Sequence, residues 1–121
     1  MLITPQFAEK FARDWVVAWN AHDLPRVLAH YTDDFEMSSP FIAQFAGEPS
    51  GKLKGKALVA AYWKAALERM PDLKFELDQV LVGASSVVVL YRRNGGRQAG
   101  EVFFFNDHGL VERAAANYAN D

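Results

Sequence analysis

The sequence predicts an α+β fold in which helices in the first half of the chain pack on an antiparallel sheet. In the first third of the chain, apolar residues recur at helical spacing. In the last third they alternate with polar residues, and turn signals such as Asn94-Gly95 separate the alternating segments. We therefore expect three helices, a strand between the second and the third helix, and a meander of four strands at the end.

The first helix is predicted from an aromatic stripe at four-residue spacing, which is typical of a helix that faces a core. The stripe consists of Phe7, Phe11, Trp15 and Trp19. Thr4 and Pro5 suit the start of the helix, because a hydroxyl can cap a free N–H and proline fits the first helical position. Asn20 is the expected left-handed residue at its end.

A second, short helix and a strand follow. Asp23 is the expected cap of this helix. Its predicted buried face consists of Leu24, Val27, Leu28 and Tyr31. From Phe35 the apolar period changes to two, so Phe35, Met37 and Ser39 share one face of a strand that ends at Pro40.

The segment Phe41–Lys54 keeps neither a helical nor a strand period, and we expect it to be irregular. It is either a surface excursion or a lid over a pocket. If it is a lid, its apolar residues Phe41, Ile42 and Phe45 should cover something.

The third helix is predicted over Lys56–Met70, before Pro71. Its expected apolar face consists of Leu58, Tyr62, Ala65, Ala66 and Met70, with Trp63 beside Val59. Alternating segments at 73–77, 87–91, 98–105 and 110–118 follow. We expect these strands to form an antiparallel sheet joined by short hairpins.

Length and composition fit a single domain over residues 1–121. Hydrophobic residues make up 50% of the chain and charged residues 23%, as in a globular protein with one core. The net charge of −2 gives no general attraction to nucleic acid or anionic membranes. The chain has no cysteine, which excludes disulfides, and no apolar segment long enough to span a bilayer. We expect a cytoplasmic protein that binds neither nucleic acid nor membranes.

Three sequence motifs resemble those of a known family. They are W-N-A-H-D-L at 19–24, Y-T-D-D-F-E-M-S-S-P at 31–40 and G-K-A-L-V-A-A-Y-W at 55–63. Together they resemble the SnoaL-like branch of the nuclear transport factor 2-like superfamily, which includes ketosteroid isomerases and polyketide cyclases. The resemblance covers nearly the whole chain. It implies a cone-shaped α+β fold, with three helices on a curved antiparallel sheet that encloses a blind pocket, often in a homodimer.

The resemblance also implies where chemistry would take place. In ketosteroid isomerases a tyrosine and a protonated aspartate polarise a carbonyl while another aspartate moves the proton. The corresponding positions here are Trp15, Glu101 and Ser39. Ser39 cannot accept a proton at neutral pH without a partner, so steroid isomerisation by that mechanism is not expected. The resemblance places Tyr31, Trp63, Ala116 and Tyr118 at pocket-lining positions, and we add Met37 and Phe103 from the inward faces of their strands.

Glu101 is the strongest candidate for a catalytic residue. It lies between Ala99 and Phe103 on the inward face of a strand, where burial should raise the pKa of its carboxyl and suit it to acid–base work. SnoaL-like cyclases resemble this scheme, since a single pocket carboxylate acts without metal or cofactor. Alternatively, Glu101 pairs with a cation and only orders the pocket. The candidate cations are Arg13, Arg93 and Arg97.

The three histidines show no metal-ligand spacing, and we expect neither a metal nor a cofactor. His22 in the helix corner and His108 in a turn are expected to be structural. The role of His30 stays open, with the cavity opening as one location.

Both faces of the strand at 98–105 are apolar, because Val102 and Phe104 lie opposite the Glu101 face. We therefore expect a homodimer through the outer sheet face. The expected ligand is small and apolar, with a carbonyl or an aromatic ring. Two functions stay open: an acid–base isomerase or cyclase in which Trp15 and Tyr31 position an oxygen near Glu101, or a non-catalytic module that binds a ligand or a protein.

Overall fold

The computed structural model describes residues 2–120, which form four helices and six strands in α+β order. The helices are α1 (Pro5–Asn20), α2 (Leu24–Leu28), α3 (Pro40–Phe45) and α4 (Lys56–Arg69). The strands are β1 (Tyr31–Ser38), β2 (Lys52–Lys54), β3 (Phe75–Val82), β4 (Ser86–Arg93), β5 (Gln98–Phe105) and β6 (Val111–Tyr118). They form one curved sheet in the order β2-β1-β6-β5-β4-β3. The predicted α+β class is confirmed.

Helix α1 begins and packs as its sequence predicts. The Thr4 hydroxyl accepts from the N–H of Phe7 at 3.1 Å, and Trp15 and Trp19 are buried. The left-handed residue at the following corner is His22, with φ 54°, rather than Asn20. Asn20 instead uses its side-chain amide to bond both backbone groups of Phe75 at the edge of the sheet, at 2.7 and 2.9 Å. A tertiary contact therefore replaces the expected end signal.

Tyr31 belongs to strand β1 and not to the second helix, because α2 ends at Leu28. The prediction that Tyr31 completes a helical face is therefore wrong, although its side chain is buried at 2% exposure. The alternation of Phe35 and Met37 on the inward face is confirmed.

The segment predicted as irregular contains the short helix α3 and the short strand β2. Ser39 caps α3 and Pro40 occupies its first turn, which is a common start for a helix. Ile42 is fully buried. Because a helix of six residues, fewer than two turns, is too short to show a period, the sequence pattern did not reveal it.

Helix α4 buries a different face from the one predicted. Val59 and Trp63 are buried, whereas Leu58 is 59% exposed. The broad apolar content of this helix hides its orientation, since a weakly amphipathic helix does not indicate which side faces the core.

The strand pairings are antiparallel except for one. Strand β1 runs parallel to β6, its neighbour in the middle of the sheet. Because β1 is separated from β6 by most of the chain, no hairpin dictates its direction. The predicted tight turn between β4 and β5 is present, with Asn94 and Gly95 at φ 52° and 72°.

The outer face of the sheet is partly apolar, as expected. Val102 and Phe104 are half-buried, and the guanidinium of Arg113 lies over the Phe104 ring at 4.1 Å. At the far edge Leu81 and Val82 are 44% and 43% exposed. Among residues 2–120, no helix is long and apolar enough to cross a membrane.

Candidate functional site

A cavity of about 330 Å³ lies between the helices and the inner face of the sheet. This volume is at the lower end of the range of small-molecule sites, roughly 300–1,000 Å³. Its wall is mainly aromatic, with contributions from α1, α3, α4 and five strands, β1 and β3 to β6. Six residues predicted for the site line the cavity: Trp15, Met37, Ser39, Trp63, Glu101 and Tyr118.

Tyr31, Phe103 and Ala116 do not line the cavity, so this part of the predicted lining is wrong. The Tyr31 ring packs between Phe35 and Trp63, with centroids 4.4 and 5.4 Å away. Phe103 lies deeper in the core against Trp15, at 5.3 Å between ring centroids. Ala116 is the β6 partner of Glu101 but is not among the residues that line the cavity.

Several lining residues were not predicted from the sequence. Tyr91 and Arg93 share the inward face of β4 with Val89, and the alternation of buried residues along that strand could have identified both. Phe41 and Phe45, which were expected to cover a site only if their segment is a lid, also line the cavity, one helical turn apart on α3. The remaining unpredicted residues are Trp19, Tyr62, Ala66, Arg69, Met70, Leu73 and Phe75.

Glu101 is buried in this cavity at 4% exposure, and its Oε1 accepts a hydrogen bond from the Tyr91 hydroxyl at 3.1 Å. Removal of the carboxyl from water raises its pKa from 4.5 to about 7, and the Tyr91 bond partly offsets this rise. A carboxyl with such a pKa populates both protonation states near neutral pH. It can therefore donate or accept a proton there.

The alternative of an ion pair with Glu101 is not observed. Arg13 pairs with Glu9 on the surface of α1, at 3.6 Å, and the guanidinium of Arg97 donates to the carbonyl of Ala119. Arg93 faces aromatic rings near the cavity opening. Within the described chain, none of the ion pairs includes Glu101.

Buried tyrosines surround the carboxyl. Burial raises the pKa of Tyr31 and Tyr91 well above 10 and that of Tyr118 to about 12, and the charge of Glu101 adds to each rise. These phenols therefore keep their protons at neutral pH. Those that line the cavity, Tyr91 and Tyr118, present hydroxyl groups that can bond an oxygen of a ligand.

Ser39 lines the cavity but has a structural task. Its Oγ accepts from the backbone N–H of Phe41 at 3.1 Å and so caps α3. The same hydroxyl lowers the pKa values of Tyr62 and Tyr118, and this effect opposes the larger rise that burial causes. Position 39 therefore carries neither an acidic nor a basic side chain.

The indole of Trp15 does not offer its N–H to the cavity. Its Nε1 donates to the hydroxyl of Tyr31 at 3.0 Å, and both side chains are buried. The indole N–H is therefore not available to a ligand. The expectation that Trp15 and Tyr31 position an oxygen of the ligand is wrong for this N–H. Trp15 contributes an aromatic surface to the wall instead.

Helix α3 covers the cavity opening with its aromatic residues. The guanidinium of Arg69 lies over the Phe45 ring at 4.0 Å, and that of Arg93 lies 5.2 Å from the centre of the Phe41 ring. Arg93 also lies 5.7 Å from the centre of the Tyr118 ring. Phe41 and Phe45 of this segment thus border the site, as residues of a lid would, whereas Ile42 is buried and does not line the cavity.

The histidines lie outside the cavity. His22 bonds the carbonyl of Leu73 at 2.9 Å, and His108 is exposed in its turn, as expected for structural residues. His30 contacts the Asp14 carboxylate at 2.7 Å and does not line the cavity. Over residues 2–120 no group of three His, Cys, Asp or Glu side chains is arranged to hold a metal ion.

Comparison with known proteins gives matches over nearly the whole chain. The family model of the SnoaL-like domain matches residues 12–115. A SnoaL-like protein of unknown function from Burkholderia thailandensis is 53% identical, with a TM-score of 0.95 over 99% of this chain and 100% of that chain. No curated protein gave a significant match.

More distant structures share the fold. A candidate isomerase of the SnoaL-like family from Agrobacterium tumefaciens has a TM-score of 0.77 and 15% identity, over 95% of this chain and 99% of that chain. A candidate ketosteroid isomerase from Kribbella flavida has a TM-score of 0.65 and 18% identity, over 96% and 80%. Because the family model spans most of the chain, the protein belongs to the SnoaL-like family, with a nuclear transport factor 2-like fold.

Proposed function

We propose that the protein is a cofactor-independent acid–base enzyme of isomerase or cyclase type, which acts on a small apolar carbonyl or aromatic compound. Glu101 is the acid or base. The observation that carries the proposal is the Glu101 carboxyl, which is 4% exposed in an aromatic cavity, has no ion-pair partner among residues 2–120 and has a pKa of about 7. Such a carboxylate is a stronger base than one at the surface, because water does not solvate its charge.

In the proposed reaction, the Glu101 carboxylate removes a proton from a carbon next to a carbonyl or on an activated ring. The electron pair moves to an oxygen of the substrate, where the Tyr91 or Tyr118 hydroxyl can bond the developing charge. The protonated Glu101 then returns the proton to a second carbon. No metal ion or cofactor takes part in this sequence.

The test uses 5-nitro-1,2-benzisoxazole, a small aromatic probe of base catalysis. When a base removes its C3 proton, the N–O bond breaks and the electron pair appears on a coloured phenolate. We expect turnover above the buffer rate that increases with pH up to about 7 and then levels, because the carboxylate is the base. Glu101→Gln should decrease the rate by about 10²-fold or more.

Glu112→Gln is the matched control, because Glu112 is an exposed carboxylate on the neighbouring strand β6. It should leave the rate unchanged. An unchanged rate in Glu101→Gln, or a rate in the wild type no higher than that in buffer, would contradict the proposal.

A second function is a module that binds a ligand without turning it over. The observation in its favour is Ser39, which occupies the position of the proton-moving aspartate and caps a helix. The two functions differ in the benzisoxazole assay, since a binding module would hold the probe without accelerating its opening.

Homodimerisation through the outer sheet face is a further proposal, supported by half-buried Val102 and Phe104. Light scattering coupled to gel filtration tests it: the expected mass is twice the 13.5 kDa of one chain. A single-chain mass at micromolar concentration would contradict it. A cytoplasmic location also stays a proposal.

A further inference from the structure

Two arginines stand at the opening of the cavity without carboxylate partners. Arg69 ends α4 and Arg93 ends β4, and both side chains line the cavity. In the part of the chain that the structure describes, neither guanidinium lies within ion-pair distance of an acidic group. By contrast, Arg13, Arg26 and Arg92 on the outer surface each pair with a carboxylate.

Both guanidiniums act on the same part of the opening. The positive charges of Arg69 and Arg93 each favour the ionised phenol of Tyr62, a residue in the wall of the cavity. Two positive charges that act on the same part of a cavity repel each other, and an anion bound between them would offset this repulsion. The opening therefore favours a negative group.

Aromatic stacking does not use up the hydrogen-bond donors of these arginines. Arg69 lies over the Phe45 ring, and Arg93 lies near the rings of Phe41 and Tyr118. A guanidinium that faces a ring keeps its N–H groups in its own plane, where they match the geometry of a carboxylate or phosphate. The rings also hold the guanidiniums in place and so reduce the entropy lost on binding.

Arg93 and Glu101 are separated along the sheet. Glu101 pairs with Val89 in the register of the sheet, and Arg93 lies four residues further along β4, about 13 Å at strand spacing. Burial and Tyr91 account for the perturbed pKa of Glu101, with no contribution from Arg93. The wall of the cavity is mainly aromatic, with Trp15, Tyr91 and Phe75 among its members.

We propose that Arg69 and Arg93 bind an anionic group of the substrate at the opening, and that the substrate is an extended apolar or aromatic carboxylate whose opposite end reaches Glu101. The evidence for the arginine site is the set of contacts described above. The orientation of the substrate depends in addition on the proposed function of Glu101. The body of such a substrate would lie along the aromatic wall.

The experiment compares 2-naphthoate with 2-naphthamide, two ligands of nearly the same shape of which only the first is charged. Binding is measured by titration calorimetry at pH 6, where Glu101 is mostly protonated and does not repel the anion. We expect the wild type to bind naphthoate at least about tenfold more tightly than naphthamide.

Arg93→Gln and Arg69→Gln should each decrease this preference, and the double variant should remove it. Naphthamide should bind all variants equally well, which separates the loss of an anion site from a collapse of the cavity. Arg92→Gln is the matched control: Arg92 is the exposed neighbour of Arg93 and pairs with Asp78. It should keep the preference.

Equal affinity of the wild type for the two ligands, no binding of either, or a full preference in the double variant would overturn the proposal. Glu101→Gln separates it from the proposed function. This variant should keep the preference for naphthoate, whether or not the wild type opens benzisoxazole. If the wild type does not open benzisoxazole while both proteins keep the preference for naphthoate, the enzyme proposal is contradicted and the arginine site is supported.

Discussion

The Tyr91 hydroxyl and the Glu101 carboxyl form a diagonal pair across strands β4 and β5, joined by a hydrogen bond of 3.1 Å. Tyr91 lies opposite Ala99, two residues before Glu101. The phenol stabilises the carboxylate while burial destabilises it, and the balance leaves the pKa near 7. Burial and, to a lesser extent, this hydrogen bond therefore determine how Glu101 is protonated at neutral pH.

The buried carboxyl should make the protein less stable as the pH rises. The folded state holds the proton of Glu101 up to about pH 7, whereas the unfolded chain releases it near pH 4.5. The stabilisation is thus full below pH 4.5, decreases between these values and is lost above about pH 7. The difference corresponds to about 3 kcal/mol in the free energy of unfolding.

Urea denaturation at pH 5 and pH 8 measures this effect. Glu101→Gln should lose less stability than the wild type between the two pH values, because glutamine does not titrate. Glu112→Gln should behave like the wild type. The same pH dependence in Glu101→Gln as in the wild type would show that Glu101 is already ionised at pH 5.

Tyr91→Phe should raise the pKa of Glu101 further above 7. The change removes the one side-chain hydrogen bond that lowers this pKa and leaves the aromatic ring in place. The measurement is a ¹³C NMR titration of the carboxyl carbons. Tyr118→Phe serves as the control, since Tyr118 lines the same cavity without such a bond. A lower or unchanged pKa in Tyr91→Phe would refute the assigned role of the phenol.

Strand alternation was enough to place Glu101 inside the protein. A period of two fixes which side chains share a face, and Glu101 shares its face with Ala99 and Phe103. Alternation does not show which inward residues reach a cavity. Phe103 and Tyr31 point inward, but their rings pack against other aromatic rings in the core. Whether space for a ligand remains beside an inward residue depends on the sizes of all its neighbours.

The sequence patterns did not predict the long-range pairing of strands or the short helix α3. The parallel pairing of β1 with β6 joins residues that are distant in the chain, and no local residue type encodes it. Helix α3 has a start signal in Ser39-Pro40, but Gly47 and Pro49 soon after it favoured a loop. Arg69 was missed for the same reason, since the Phe45 ring that it faces belongs to α3.

Tyr31→Phe should destabilise the protein without weakening ligand binding. The change leaves the buried Nε1 of Trp15 without an acceptor, which costs about 1–3 kcal/mol in the free energy of unfolding. Tyr31 does not line the cavity, so the affinity for 2-naphthamide should stay the same. Urea denaturation and calorimetry measure the two quantities.

Tyr62→Phe is the control: Tyr62 is half-buried, and its change should cost less than about 1 kcal/mol. Weaker binding with unchanged stability in Tyr31→Phe would instead assign the phenol to the ligand.

Ser39→Ala should destabilise helix α3 rather than remove a catalytic group. The serine hydroxyl caps this helix through the N–H of Phe41, and loss of such a cap costs about 1 kcal/mol. Ser39→Thr should restore most of the stability, because threonine also caps helices. Ser38→Ala is the matched control, since Ser38 is the neighbouring serine at the end of β1 and caps no helix of the described chain. Urea denaturation measures the four proteins, and the benzisoxazole assay is run beside it. If Ser39→Ala abolished turnover at unchanged stability, Ser39 would have to take part in proton transfer, and its role as a cap would be secondary.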